Sequence, residues 1–254
     1  RVAEINQRLA TLGTQFTQNQ LKDEEAFTLI DKKSELNGLP QSLIDGYAET
    51  AAAKGASGKW AVANTRSAVD PFLTYSQNRK LREKVWRAFV NRGDNGGETD
   101  NNAIIAETLK LRAERSKLLG YPTYAHWAIE RQMAKTPDAA MDLMMRVWPK
   151  AVARVREEVA DMQAVADAEG AKIKIEPWDY RFYAEKVRKA KYDLDFNEVK
   201  PYMQMEKLRE GMFWVSGELF GLKFEEINDA PVFHPDVRVW KVTDAGGAFA
   251  GLWY

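Results

Sequence analysis

The chain has 254 residues, and its 37 basic and 37 acidic side chains cancel to a formal charge of +0. That balance excludes a whole-chain electrostatic attraction to nucleic acid or to an anionic membrane surface. Cysteine is absent and histidine occurs only as His126 and His234, which excludes disulfides, thiolate chemistry and any metal site needing three histidines from this chain.

Helical periodicity dominates. Val2, Ile5, Leu9, Leu12 and Phe16 recur at three-to-four spacing and predict a helix over 2–19. KDEEAFTLIDKKSELNGLP follows, acidic at its start and broken by Gly38 and Pro40. QSLIDGYAETAAAKGASG reads as a short helix and a Gly/Ala/Ser link, placing a first boundary near 54–59, and KWAVAN reads as a short strand. Asp70-Pro71 has the form of a helix start, a carboxylate cap followed by proline at the first helical position. The helix, or pair of short helices, that follows carries Leu81, Val85 and Phe89 on one stripe. Asp100 is placed to cap a helix with stripe Ile104, Thr108, Leu111 and Leu118, stopped by Gly120.

Thr136-Pro137 opens the longest periodic element, to about Glu169, along Met141, Met144, Trp148, Val152, Val155, Val159 and Met162, with a kink expected at Pro149. After an extended IKI link, Glu176-Pro177 leads into another helix with Phe182, Tyr183 and Val187 on its buried side. A further helix is expected to bury Met205, Leu208, Met212, Val215 and Leu219 and to stop at Gly221. VRVWKV, the turn TDAGG and AFAGLWY then predict an antiparallel hairpin.

The expected architecture is mainly α, a multi-helix fragment with a small antiparallel β-hairpin at its C-terminal end. It divides into an N-terminal helical segment 1–58, a central helical region 59–170 with a short strand near 59–63, a helical region 171–232 and the hairpin 233–254. A lone hairpin leaves one apolar face uncovered, so Gly251 to Tyr254 should pair with something else. No apolar run approaches the ~20 residues of a membrane span and the start is amphipathic, unlike a signal peptide, so a cytoplasmic location is expected. The missing initiator methionine predicts further residues upstream.

No complete catalytic constellation emerges from the residues themselves. GDNGG and GASGK lack the spacing of a phosphate loop. Glu130 lies one turn from His126 and could complete two metal ligands, but no third is evident. His234, followed by Pro235 and Asp236, fits a loop-fixing hydrogen bond or a contact in a ligand cleft. Glu157-Glu158 and Asp23-Glu24-Glu25 read as solvated surface. The basic and aromatic residues of RFYAEKVRKAKYD are explained better by packing than by RNA.

EPWDYRFYAEKVRKAKYDLDFNEVKPYMQMEKLREGMFWVSGELFGLKFEEI, then VFHPDVRVWKVTDAGGAFAGLWY, resembles the thimet oligopeptidase family of zinc metallopeptidases, most nearly its bacterial peptidyl-dipeptidases. DPFLTYSQNRKLREKVWRAFVNRG and the segment after it are similar to the same family, so the resemblance spans almost the whole chain. It implies a mainly helical fold around a channel for short peptides. It also implies a zinc ion held by a His-Glu-x-x-His helix and a later glutamate, with the motif glutamate activating the attacking water.

That motif does not occur in this sequence. The expectation is therefore a fragment ending before the zinc helix, with zinc a cofactor of the parent enzyme and none on this chain, and with no catalytic and no metal-ligating residue here. Its partners would be short peptides and the missing C-terminal catalytic portion, with neither nucleic acid nor membrane. Gly251, Leu252, Trp253, Tyr254 and His234 are the substrate-channel candidates: a strand edge there would pair with the extended backbone of a peptide, and Gly251 would allow close approach. The alternative is a noncatalytic helical module that binds peptides or another protein.

Overall fold

The computed structural model describes residues 1–193 and 196–254. The described chain divides into two compact units, Arg1–Tyr192 and Asp193–Tyr254.

The first unit holds α1 (Val2–Glu24), β1 (Phe27–Ile30), α2 (Gln41–Ala53), β2 (Trp60–Ala63), α3 (Arg66–Tyr75), α4 (Arg79–Val90), α5 (Asn102–Leu118), α6 (Tyr124–Ile129), α7 (Pro137–Ala168) and α8 (Tyr180–Tyr192). The second holds α9 (Phe196–Val199), α10 (Met205–Phe220) and the strands β3 (Lys223–Ile227), β4 (Val239–Thr243) and β5 (Phe249–Trp253). The fold is mainly helical with a small antiparallel sheet at its C-terminal side.

Three apolar clusters hold the first unit. The largest is built on Ile30, Leu36, Tyr47, Val62, Val69, Phe72, Leu73 and Val85, where α2, α3 and α4 meet the two-stranded β1–β2 ribbon. The predicted stripe Leu81, Val85, Phe89 faces it. A second joins Ile5 and Leu12 of α1 to Leu111 of α5, with Arg8 bridging both oxygens of Glu107 at 2.6 and 2.7 Å. A third packs Met162 and Ala166 of α7 on Tyr183 of α8, with Phe182 and Val187 beside them.

A buried ion cluster ties α8 to α4. Asp179 is fully buried and accepts from Arg79 Nη2 and Arg82 Nη2, both at 2.8 Å, and from the Glu176 backbone N–H at 3.2 Å. Arg82, itself buried, also donates to the carbonyls of Ser76 (2.8 Å) and Trp178 (3.2 Å). Desolvation pushes the Asp179 carboxyl upward, but the two guanidinium groups outweigh it and hold the group below the ordinary carboxylate range. Residues 177–179 thus lead into α8, as the sequence suggested, and Asp179 anchors that start to α4.

Several local expectations change. Asp70 does not cap a helix: α3 already begins at Arg66 and contains Pro71, while Asp70 pairs with Arg66 (3.2 Å) and Arg181 (3.0 Å). Pro71 thus lies inside α3, where it forgoes the helical hydrogen bond to the Ser67 carbonyl. Thr136 does cap α7, accepting from Ala139 N–H at 3.2 Å, and α7 runs unbroken through Pro149. Asp100 accepts the Asn102 N–H at 2.8 Å. β1 was not read from the sequence; it pairs antiparallel with β2, which lies a whole helix away. Gly38, at φ +88, could not be replaced: a Cβ would strike the Tyr75 carbonyl oxygen.

The carboxylates at 23–25 are not all solvated surface. Asp23 accepts the Gly93 N–H at 2.7 Å and the Asn95 amide at 3.1 Å, and Glu24 pairs with Arg92. Together they fasten the 91–96 loop to the end of α1.

Candidate functional site

The second unit is a sheet in the order β3-β4-β5, all antiparallel, with α10 against it. The expected hairpin is β4–β5, and it gains a third strand: β3 pairs residue for residue with β4, from Lys223↔Thr243 to Ile227↔Val239. β5 is left as an edge strand. Gly221 makes the sharp reversal from α10 into β3 at φ +68, and a Cβ there would lie 2.9 Å from that of Ala245. The β4–β5 turn closes on Asp244, whose Oδ1 accepts the Ala248 N–H at 2.9 Å.

Four rings hold helix to sheet. Phe213 of α10 stacks on Phe224 with centroids 4.1 Å apart and meets Trp240 and Trp253 edge-on at 5.6 and 5.3 Å. Trp240 and Trp253 are cross-strand partners, with centroids 4.9 Å apart. Arg238 clamps the sheet's flank, reaching both Glu226 oxygens at 2.6 Å. That pair raises the guanidinium above its usual range and lowers the carboxyl.

The register explains a trough beside this cluster. Val242 faces Gly251, and Phe224 faces Val242, so Phe224, Val242 and Gly251 share one row and one face. Gly251 contributes no side chain to that row, and nothing lies within 4 Å of where its Cβ would be. The result is an open trough of about 350 Å³ between α10 and the sheet edge, lined by Met212, Ser216, Phe224, Val242, Gly251 and Trp253 among others.

Of the channel candidates, Gly251, Leu252 and Trp253 lie on β5 and line this trough. Tyr254 follows β5 and is not among the lining residues. His234 sits in the β3–β4 loop with an exposed side chain, and its Nδ1 accepts the Asp236 N–H at 3.2 Å. His126 bonds Thr123 Oγ1 at 2.8 Å while Glu130 accepts from Tyr121 at 2.7 Å, so they do not form a ligand pair.

One expectation for α10 fails. Leu208, Met212, Val215 and Leu219 were to be buried, yet they are 51%, 40%, 44% and 69% exposed, and Met205 is exposed as well. The helix turns Phe213 to the sheet instead. The sheet is only three short strands wide, and periodicity locates an apolar stripe without saying what lies opposite it.

A zinc site does not fit the residues present. Among the described residues no group of three or more histidine, cysteine, aspartate or glutamate side chains could hold a metal ion.

Among the described residues the outer edge of β5 pairs with no further strand and lies beside this apolar trough. The model of peptidase family M3 matches residues 72–254, and the chain belongs to that family of zinc metallopeptidases. It is 40% identical over 252 residues to a dipeptidyl carboxypeptidase of Escherichia coli (strain K12), covering 98% of this chain and 37% of that protein. It is 32% identical to an oligopeptidase A of Salmonella typhimurium, covering 100% of this chain and 38% of that protein. A protein of Arabidopsis thaliana named probable cytosolic oligopeptidase A is 33% identical, over 99% of this chain and 37% of its own length. The chain thus spans little more than a third of the relatives it matches.

Proposed function

We propose that this chain is the peptide-contacting portion of an M3 oligopeptidase of the peptidyl-dipeptidase kind, which removes dipeptides from the C-termini of short peptides. The observation that carries the reading is the outer edge of β5, which pairs with no further strand among the described residues, beside the trough at Gly251. An edge strand offers unpaired N–H and C=O groups, and every extended peptide presents their complement regardless of sequence. Gly251 leaves room for the peptide where any other residue would project a side chain. Leu252 and Trp253 flank that gap, and Tyr254 continues the edge. His234 serves as a polar contact from the neighbouring loop.

The family's zinc would be held by residues outside those described here, in a C-terminal catalytic portion of the same protein. The small share of the relatives' length that this chain covers supports that division. Cytoplasmic residence is proposed from the name of the Arabidopsis relative; no helix among the described residues is long and apolar enough to cross a membrane.

Gly251→Leu in a peptidase containing this chain tests the reading. A branched side chain in the trough should lower kcat/KM for short peptides by about tenfold, a loss of roughly 1.4 kcal/mol in transition-state binding, mostly through KM, with zinc content unchanged. Unaltered KM would remove β5 from the substrate path.

A further inference from the structure

We propose that the groove between α1 and α5 is a docking site for an amphipathic helix that carries carboxylates at one end. The inference concerns the first unit alone and is independent of the peptidase reading.

The seam between these two antiparallel helices is filled by Ile5, Leu12 and Leu111. Its two flanks differ. At 100° per residue, Arg1 and Arg8 fall on one side of the α1 seam, and Glu107 and Glu114 on the matching side of α5. There every charge is met within the chain: Arg1 reaches Glu114 at 2.6 Å and Arg8 reaches Glu107 at 2.6 Å.

The opposite flank is a trough of about 610 Å³. Ala10, Gly13 and Thr17 line it on α1, and the exposed side chains of Phe16, Ile105 and Leu109 stand along it. Apolar residues recur at helical spacing on both walls, as a third helix lying in the groove requires. Small residues at three- and four-residue spacing let a backbone come close.

Arg112 and Arg115 stand at one end of this trough. Arg112 lies over the Tyr124 ring at 4.8 Å, and Arg115 over the Trp127 ring at 4.4 Å. Arg115 donates to the neutral Asn6 side chain at 2.8 Å, while its Nε is buried with no acceptor. Among the described residues neither guanidinium has a carboxylate partner, unlike the arginines of the opposite flank. Stacking on α6 fixes both forks in place, so a carboxylate arriving with an apolar helix would meet preset donors. The charge that would complete this flank must come from the occupant.

The lining on α1 runs from Leu9 to Thr17, about 12 Å at 1.5 Å per residue, or a little over two helical turns. A test peptide of about 14 residues spans it, and its helix, marginal in isolation, would be stabilised by docking its apolar face. Two fluorescein-labelled peptides would be titrated with the 254-residue chain by anisotropy. Both carry one leucine stripe; one ends in two glutamates and its twin ends in two lysines.

The acidic peptide should bind saturably and at least about tenfold more tightly than its twin, the gain expected of one or two charge-assisted hydrogen bonds. The double variant Arg112→Gln/Arg115→Gln should abolish that preference. Gly13→Phe fills the trough from a position where a Cβ meets nothing within 4 Å, so the fold tolerates it, and both peptides should then release. Equal binding of the two peptides, or binding indifferent to Gly13→Phe, overturns the proposal. So does a reversible dimer, seen by sedimentation, that Gly13→Phe dissolves while the acidic peptide fails to compete, because the occupant would then be a second copy.

Discussion

The two units bury their residues very differently. The first has three apolar clusters and a buried ion cluster in which Asp179 and Arg82 are almost wholly hidden. In the second, the buried apolar residues among those described are Val239 and Trp240, and α10 buries none. The first unit is therefore held by a packed core and the second by one four-ring cluster with open apolar surface on either side. Contiguous exposed apolar surface is characteristic of interaction sites, and the trough at Gly251 opens on it.

The largest effect should come from the first unit. Asp179→Ala leaves Arg82 buried without its counter-charge and is expected to cost about 3–5 kcal/mol, read by chemical denaturation. Phe72→Ala, at a fully buried position, should cost a similar ~3–5 kcal/mol through the cavity left behind. Phe213→Ala should cost less, roughly 1–3 kcal/mol, because its ring contacts are worth about 0.5–1.5 kcal/mol each and it is only half-buried. Leu208→Ala and Leu219→Ala should change stability by less than about 0.5 kcal/mol, as exposed positions do. A cost near 2 kcal/mol or more at either leucine would show that the α10 stripe is covered and would erase the contrast.

The ion cluster also predicts a pH dependence. The Asp179 carboxyl is held below its ordinary value in the folded state, so the stability it contributes is present above the unfolded value of about 3.9 and is lost as pH falls through the lower folded value. The stability difference between the native chain and Asp179→Asn should therefore be constant from neutral pH down to about 4 and shrink below it. A difference that stays flat through the acid limb would mean the cluster is not titrating.

Periodicity revealed most of the helices because each repeats its apolar stripe several times. It failed where a partner had to be known. The α10 stripe and the first half of α7, with Met141, Met144 and Trp148 exposed, repeat at helical spacing yet face no covering element among the described residues. β1 and β3 were missed, although the strands they pair with, Trp60–Ala63 and Val239–Thr243, were read. The trough at Gly251 was legible only in part: the strand and its glycine could be read, but the placement of Met212 and Ser216 across from it depends on the turn at Gly221. Arg112 and Arg115 gave no signal, since their meaning lies in the missing carboxylates around them.

The central claim is that this chain handles the peptide while metal chemistry comes from residues beyond those described. Zinc content and C-terminal dipeptide release would be measured together, on the 254-residue chain and on a protein extended to its relatives' full length. The expected result is stoichiometric zinc and turnover in the extended protein and neither in the chain alone. Zinc-dependent turnover by the 254-residue chain, lost on Gly251→Leu, would contradict the division of labour by placing both functions within these residues.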